Sequence, residues 1–385
     1  MTKTKLIRIT TVSSSMLGLL EGQLKFMGNY YNVIGIASFD NEASKNFLEN
    51  REQIKMYGVK MTRKITPLKD IRAVVRLYKI FKKEKPLIVH SHTPKAGTLA
   101  MFAAYLARVP HRLHTIAGLP LLEVTGIRRK VLDFVEKITY FFATKIYPNS
   151  YGLMDIILTN GYTATDKVKV IGIVSYNGIN VDYFNPNLYP AEFKKAFRDS
   201  MGISEDHPIF LFVGRMVTDK GVNELVSAFN KMNKMHKGAK LLLVGPYERH
   251  LDPVLPEIEK LIHNHPNIIY VGFQKDVRPF FAIANAMVFP SYREGFPNVV
   301  MQAGAMGLPT IATNINGCNE IILEGENGIL IPPKNEDALY KAMLHYVSSK
   351  NLETLDSHKI RDLISSRFSR QKIWNEILKE YSALS

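Results

Sequence analysis

At 385 residues the chain is long enough for two or three domains of about 100–200 residues each. Hydrophobic residues make up 46% and charged ones 22%, a globular mix that excludes collagen-like, coiled-coil and disordered readings. A formal charge of +15 calls for an anionic partner, and it is one-sided: residues 1–190 hold 27 basic and 13 acidic side chains, residues 191–385 hold 23 and 22.

The single cysteine, Cys318, excludes a disulfide framework and a multi-cysteine metal site. The longest apolar run, Leu99 to Ala107, is far below the ~20 residues that span a bilayer. The N-terminus, Lys3-Thr4-Lys5-Leu6-Ile7-Arg8-Ile9, reads as the start of a strand rather than a signal peptide. Together these features lead us to expect a soluble protein of a reducing compartment.

In chain order, residues 6–12 and 32–37 read as strands. Residues 70–83 read as a helix in which Ile71, Val74, Val75, Tyr78 and Phe81 recur at helical spacing, beside a basic stripe of Arg72, Arg76, Lys79 and Lys83. The next strand, 87–90, runs into His90-Ser91-His92-Thr93-Pro94-Lys95-Ala96-Gly97, where Thr93-Pro94 is a helix start. His90 and His92 are expected to point to opposite faces, so that at most one, with His92 the better candidate, meets a ligand. Lys95 would either greet an acceptor phosphate or be solvated. Strands follow at 112–116 and 144–147, separated by a stretch that carries Arg128, Arg129 and Lys130 ahead of Phe134, Tyr140, Phe141 and Phe142, and a last strand at 167–171. Basic helices with bulky apolar residues fit attachment to an anionic membrane surface. There is no zinc-finger or RNA-recognition pattern, so nucleic acid is not the expected polyanion.

Residues 177–187 are rich in turn residues and poor in periodicity, the expected linker. Beyond it, strands at 209–214, 240–245, 268–272, 286–290, 310–313 and 328–331 alternate with helices at 223–235, 256–263, 277–284 and 336–347. This alternation predicts an α/β architecture of two doubly wound parallel-sheet domains facing across a cleft, with ligands beyond the carboxyl ends of the strands. In Gly214-Arg215-Met216-Val217-Thr218-Asp219-Lys220-Gly221 a guanidinium and an ammonium stand near a helix start, where free N–H groups already favour anions. In Ser291-Tyr292-Arg293-Glu294-Gly295-Phe296-Pro297-Asn298 a carboxylate and backbone N–H groups share a strand end. Ile315-Asn316-Gly317-Cys318-Asn319-Glu320 reads as an ordinary helix cap.

Taken together, Gly214-Arg215 with Lys220-Gly221, Leu243-Val244-Gly245, and Ser291 to Pro297 resemble the retaining GT-B glycosyltransferases of family 4 in order and spacing. The His92-to-Gly97 loop is similar to that of bacterial members that build capsule, O-antigen or lipid-linked glycans, and the resemblance covers nearly the whole chain. It implies a GT-B fold with an acceptor-side Rossmann-like domain at 1–176, a linker at 177–206, a nucleotide-sugar domain at 207–367, and a C-terminal helix at 368–385 packing back on the first domain. Arg215 and Lys220 would neutralise the donor diphosphate, and Glu294 would hold donor-sugar hydroxyls. Gly214 and the backbone of Gly295, Phe296, Pro297 and Asn298 would contact sugar and phosphate. His114 would approach the donor sugar, and the region of Phe273 would receive the nucleobase. Two positions depart from the family pattern. Gln302 stands where a second glutamate, credited with the ribose, is usual, and Ser13 and Ser14 stand where the first strand often ends in a Gly-rich turn. The implied reaction is retaining transfer from a nucleotide sugar, UDP-linked first and GDP-linked second, to an undecaprenyl-diphosphate-type glycolipid at the inner face of the cytoplasmic membrane. No Asp-x-Asp occurs in the chain, so no metal and no cofactor are expected. A nucleotide-sugar epimerase of similar fold and a non-catalytic polyanion-binding protein remain the alternatives.

Overall fold

The computed structural model describes residues 3–62, 66–119, 121, 124–172, 177–250, 252–348 and 355–384. The chain divides into two units, Met1–Gly178 with Arg370–Ser385, and Ile179–Ser369.

The first unit is built on a parallel sheet of β1 (Lys5–Val12), β2 (Asn32–Ser38), β3 (Lys55–Gly58), β4 (Ile88–Ser91), β5 (His111–Ile116) and β6 (Lys145–Pro148), in the order β3-β2-β1-β4-β5-β6. Its helices are α1 (Ser13–Leu20), α2 (Gln23–Gly28), α3 (Glu42–Glu52), α4 (Pro67–Glu84), α5 (Pro94–Leu106), α6 (Gly126–Phe142) and α7 (Tyr151–Thr159). Successive strand residues point to opposite faces, and both faces are covered. Ile7, Ile34 and Val89 pack with α4, α5 and α6, whereas their neighbours Leu6, Val33 and Ile88 pack with α1, α2 and α3.

Three expectations are corrected here. Residues 167–171 form only a bridge, Val168 to Ile146, while the sixth strand is the short edge strand β3, which lacks the β-branched residues that mark strands in sequence. On α4 the buried apolar side chains are Ala73, Leu77, Ile80 and Phe81, so of the stripe read from the sequence only Phe81 is buried, and Ile71 and Val75 face outward. His90 and His92 lie on the same side with rings 4.2 Å apart, as residues two apart along an extended chain must.

The second unit repeats the plan with β7 (Ile209–Val213), β8 (Lys240–Val244), β9 (Ile268–Gly272), β10 (Ala286–Phe289), β11 (Thr310–Thr313) and β12 (Gly328–Ile331), ordered β12-β11-β10-β7-β8-β9. Its helices are α8 (Ala191–Ser200), α9 (Val222–Asn233), α10 (Pro256–Asn264), α11 (Arg278–Ile283), α12 (Asn298–Ala305), α13 (Cys318–Ile321), α14 (Glu336–Ser348) and α15 (Ser357–Phe368). The segment 179–206 is part of this unit rather than a free linker, because Ile179, Phe184, Tyr189 and Ile203 bury themselves in its core. The last helix, α16 (Arg370–Ser382), returns to the first unit, where Ile373, Ile377 and Tyr381 join the core beside α1 and α2.

In each sheet the strand order reverses direction once, between β1 and β4 and between β7 and β10. The loops leaving those strands therefore diverge to opposite faces and open a crevice at the carboxyl edge.

Candidate active site

In the second unit the two loops at the switch point meet backbone to backbone. Gly221 has φ +69°, and a Cβ there would lie 2.1 Å from the carbonyl oxygen of Pro290, so only glycine lets the loops close. That contact sets Lys220 Nζ 2.5 Å from Glu294 Oε1, with both side chains about five-sixths buried (15% and 16% exposed). Ser291 Oγ donates to the same carboxylate oxygen at 2.9 Å. Asn316 fixes the backbone of this turn by donating to the carbonyls of Glu294 (3.1 Å) and Gly295 (2.9 Å). The Asn316 turn is thus a brace for the Glu294 loop, more than the plain helix cap its sequence suggests.

Arg215 is aimed by a different neighbour. Its Nη1 lies 2.7 Å from Glu248 Oε2, in the loop after β8, and this bond raises the guanidinium pKa further. Gly214 N donates to the Val244 carbonyl at 2.9 Å, stitching the β7 and β8 loops together. Arg293 pairs with Asp219 at 3.0 Å, and Tyr292 O–H donates to Glu224 at 2.5 Å. Burial and Glu224 together push the Tyr292 phenol pKa up. Gly295, Phe296 and Pro297 lead into α12, which starts at Asn298 and has no side-chain cap, so its first N–H groups are open to an acceptor. The Phe296 ring packs 5.6 Å from that of Phe368, which leaves its backbone for a ligand. Gln302 sits half-buried one turn into α12, and Phe273, just after β9, is 72% exposed.

The remaining candidates lie in the first unit, around its switch point and, for His114, on the adjoining strand β5. Thr11 N donates to Thr93 Oγ1 at 2.9 Å and the two hydroxyls are 2.7 Å apart, which joins the β1 and β4 loops. Ser13 and Ser14 form the first turn of α1, whose N-cap, Val12, supplies no side-chain bond. His92 is enclosed, with its Nε2 accepting from Arg8 Nε at 2.8 Å. Burial and then the Arg8 charge hold its pKa well below the usual histidine range. Lys95 is neither solvated nor free, since Asp70 takes it at 2.5 Å. His114 is buried against α5, where a Cβ on Gly97 would lie 2.4 Å from the imidazole. Its Nδ1 shares a hydrogen bond with Ser91 Oγ at 2.9 Å, and burial pushes its pKa down to about 4, so it is neutral near pH 7.

Sequence reasoning missed Glu248, and it quoted Ser291 and Asn316 within their motifs without giving either a part in holding Glu294. The signal for Glu248 was its place three residues after Gly245, at the end of a strand neighbouring the one that carries Arg215.

A glycosyl transferases group 1 model matches residues 207–349, and a glycosyl transferase 4-like model matches residues 23–150. Over 381 residues the chain is 31% identical to the capsular polysaccharide biosynthesis glycosyltransferase CapM of Staphylococcus aureus, covering 98% of this chain and 97% of that one. The chain belongs to this glycosyltransferase family. It is also 27% identical over 327 residues to an Escherichia coli UDP-Gal:α-D-GlcNAc-diphosphoundecaprenol α-1,3-galactosyltransferase, covering 83% of this chain and 81% of the relative. The fold of Anabaena HepE, solved with UDP and glucose, superposes with a TM-score of 0.81 over 99% of this chain and 100% of that one, at 17% identity. The enzyme therefore has the GT-B fold, and the Lys220–Glu294 loops lie in the part matched by the group 1 model.

Proposed function

We propose that this glycosyltransferase moves a sugar from a UDP-linked donor to a saccharide carried on a lipid diphosphate, as in surface polysaccharide synthesis, with retention of anomeric configuration and without a metal ion. The observation that carries the reading is the Lys220–Glu294 pair at the carboxyl edge of the second sheet, with Arg215 on the same loop as Lys220. Departure of a nucleoside diphosphate builds negative charge on phosphate oxygens, and fixed cations at that place lower the barrier most. Arg215 and Lys220 supply those cations, which fits the lack of any Asp-x-Asp to bridge a divalent ion. The open N–H groups at the start of α12 supply further donors. Glu294, fixed by Ser291 and Asn316, accepts from donor-sugar hydroxyls. Neutral His114 is suited to a hydrogen bond with the sugar rather than to a cationic role. The named functions of CapM and of the E. coli galactosyltransferase support a glycan acceptor of this kind.

The test is incubation of UDP-sugars with a lipid-diphosphate saccharide in excess chelator, with the product analysed by NMR. Release of UDP and an α-linked product from an α-linked donor are expected. Loss of turnover in chelator, an inverted linkage, or an isomeric nucleotide sugar as product would overturn the reading.

A further inference from the structure

The turn after β11 is pressed backbone to backbone against the loop that carries Glu294. Gly317 has φ +78°, and a Cβ there would lie 2.5 Å from the Gly295 carbonyl oxygen and 2.9 Å from Phe296 Cα, so this approach requires glycine. The turn is anchored from behind, because Cys318 and Ile321 of α13 are buried in the core of the second unit. Thr313, the last residue of β11, donates its hydroxyl to the Ser291 carbonyl and ties down the start of the same loop.

Asn316 then holds two successive peptides of that loop. Its Nδ2 lies 3.1 Å from the Glu294 carbonyl oxygen and 2.9 Å from that of Gly295. Both partners can only accept, so the atom that faces them is the donating NH2 of the amide. In a trans peptide the C=O and the N–H point in opposite directions. With both carbonyls turned toward Asn316, the N–H groups of Gly295 and Phe296 are turned away from it. Neither N–H has a partner among the described residues. The Glu294 carboxylate next to them spends Oε1 on Lys220 and Ser291, and its Oε2 likewise has no partner among the described residues.

Open N–H donors next to an open carboxylate oxygen are complementary to hydroxyls, which accept and donate at once. A phosphate would accept from the N–H groups but be repelled by the carboxylate. We infer that Asn316 is a positioning residue for donor-sugar recognition, which turns the Gly295 and Phe296 N–H groups toward the hydroxyls that donate to Glu294. Asn316 acts through the backbone and not by contact with the sugar. The inference rests on the reading that the donor is a UDP-sugar, and it adds the residue that sets the geometry of its hydroxyl contacts.

The test is Asn316→Asp, which keeps the shape of the side chain but sets an acceptor against two carbonyls. Calorimetric titration compares UDP with UDP-glucose, UDP-galactose and their N-acetylamino counterparts. For the UDP-sugar that the native enzyme binds best, the variant should bind about tenfold or more weakly, while UDP affinity stays within about threefold, since only the sugar loses its donors. Asn316→Ala, which removes the donor without adding a charge, should show the same split. Equal losses for UDP and the UDP-sugar in both variants would mark a general disturbance of the site and overturn the inference. Native-like affinity for both ligands would overturn it too. A crystal structure of Asn316→Asp gives the second reading: the two peptides after Glu294 and Gly295 should have turned, and a native-like turn would overturn the inference. If the native enzyme binds UDP but none of the UDP-sugars, the proposed donor is contradicted, and the orientation of these peptides in the variant still decides what Asn316 does.

Discussion

Lys220 and Glu294 illustrate how a reactive pair is stored. Each is mostly buried, and each satisfies the other, at the place we propose receives the diphosphate and the sugar of the donor. A buried charge left without a partner is costly, so the pairing stabilises both groups, and on the proposed reading donor oxygens would replace one charged contact with another. Gln302 is the residue where the family pattern is broken. A carboxylate there would accept from both ribose hydroxyls, whereas the carboxamide has one accepting oxygen and a donating NH2. A neutral hydrogen bond contributes about 0.5–1.5 kcal/mol, so the exchange is worth at most about tenfold in affinity. Gln302→Glu should therefore bind UDP within about tenfold of the native protein, and Gln302→Ala more weakly than either. Calorimetric titration with UDP and its 2′-deoxy analogue checks this. A Gln302→Ala variant that discriminates between the two as the native protein does would make Gln302 a packing residue.

At the level of elements, β4 and β5 concentrate buried histidines. His90 is wedged between Tyr381 Oη (2.6 Å) and Thr115 Oγ1 (2.6 Å), His92 lies under Arg8, and His114 lies under α5. Burial first, and for His90 and His92 the Arg8 charge second, holds all three below the ordinary value of 6.5. The unfolded chain takes up protons near pH 6.5 that the folded chain refuses, so stability falls as pH drops below about 6.5. Buried Glu136 on α6 opposes this, because burial raises its pKa to about 7 and the folded state holds a proton that the unfolded state loses above about 4.5. Between about pH 5 and 6.5 the buried histidines make unfolding take up protons while Glu136 releases one, so Glu136→Gln should steepen the pH dependence by up to about one proton, or about 1.4 kcal/mol per pH unit. Urea unfolding followed through Trp374, the single tryptophan, whose Nε1 bonds Asn177 in the same unit, reads it. A pH-independent midpoint would contradict the account. The same elements show what a sequence hides. Helix α4 carries two apolar stripes, and periodicity alone cannot say which is buried, because small Ala73 marks the core while larger Ile71 and Val75 face out. The six strands of the second unit were legible because each is a short apolar run closed by turn residues, whereas β3 has no such signature.

At the scale of the whole molecule, alternating strands and helices were enough to foresee two parallel sheets, and strand-end motifs were enough to foresee which loops hold Arg215, Lys220 and Glu294. Contacts from distant loops were not legible, since nothing local to Glu248 or Asn316 says that they orient Arg215 and the Glu294 turn. The unit boundary was blurred for a related reason. Residues 179–206 have a linker's turn-rich composition but spend their few apolar side chains on the second core, and α16 crosses back to the first unit by burying Ile373, Ile377 and Tyr381. The central claim is that fixed cations on the β7 loop stabilise the departing diphosphate. Its most direct test is the single-turnover transfer rate of Lys220→Ala with donor saturating. The account predicts a fall of about 10²–10³-fold, the scale for removing one preorganised charge stabiliser, and a rate within about threefold of the native enzyme would contradict it.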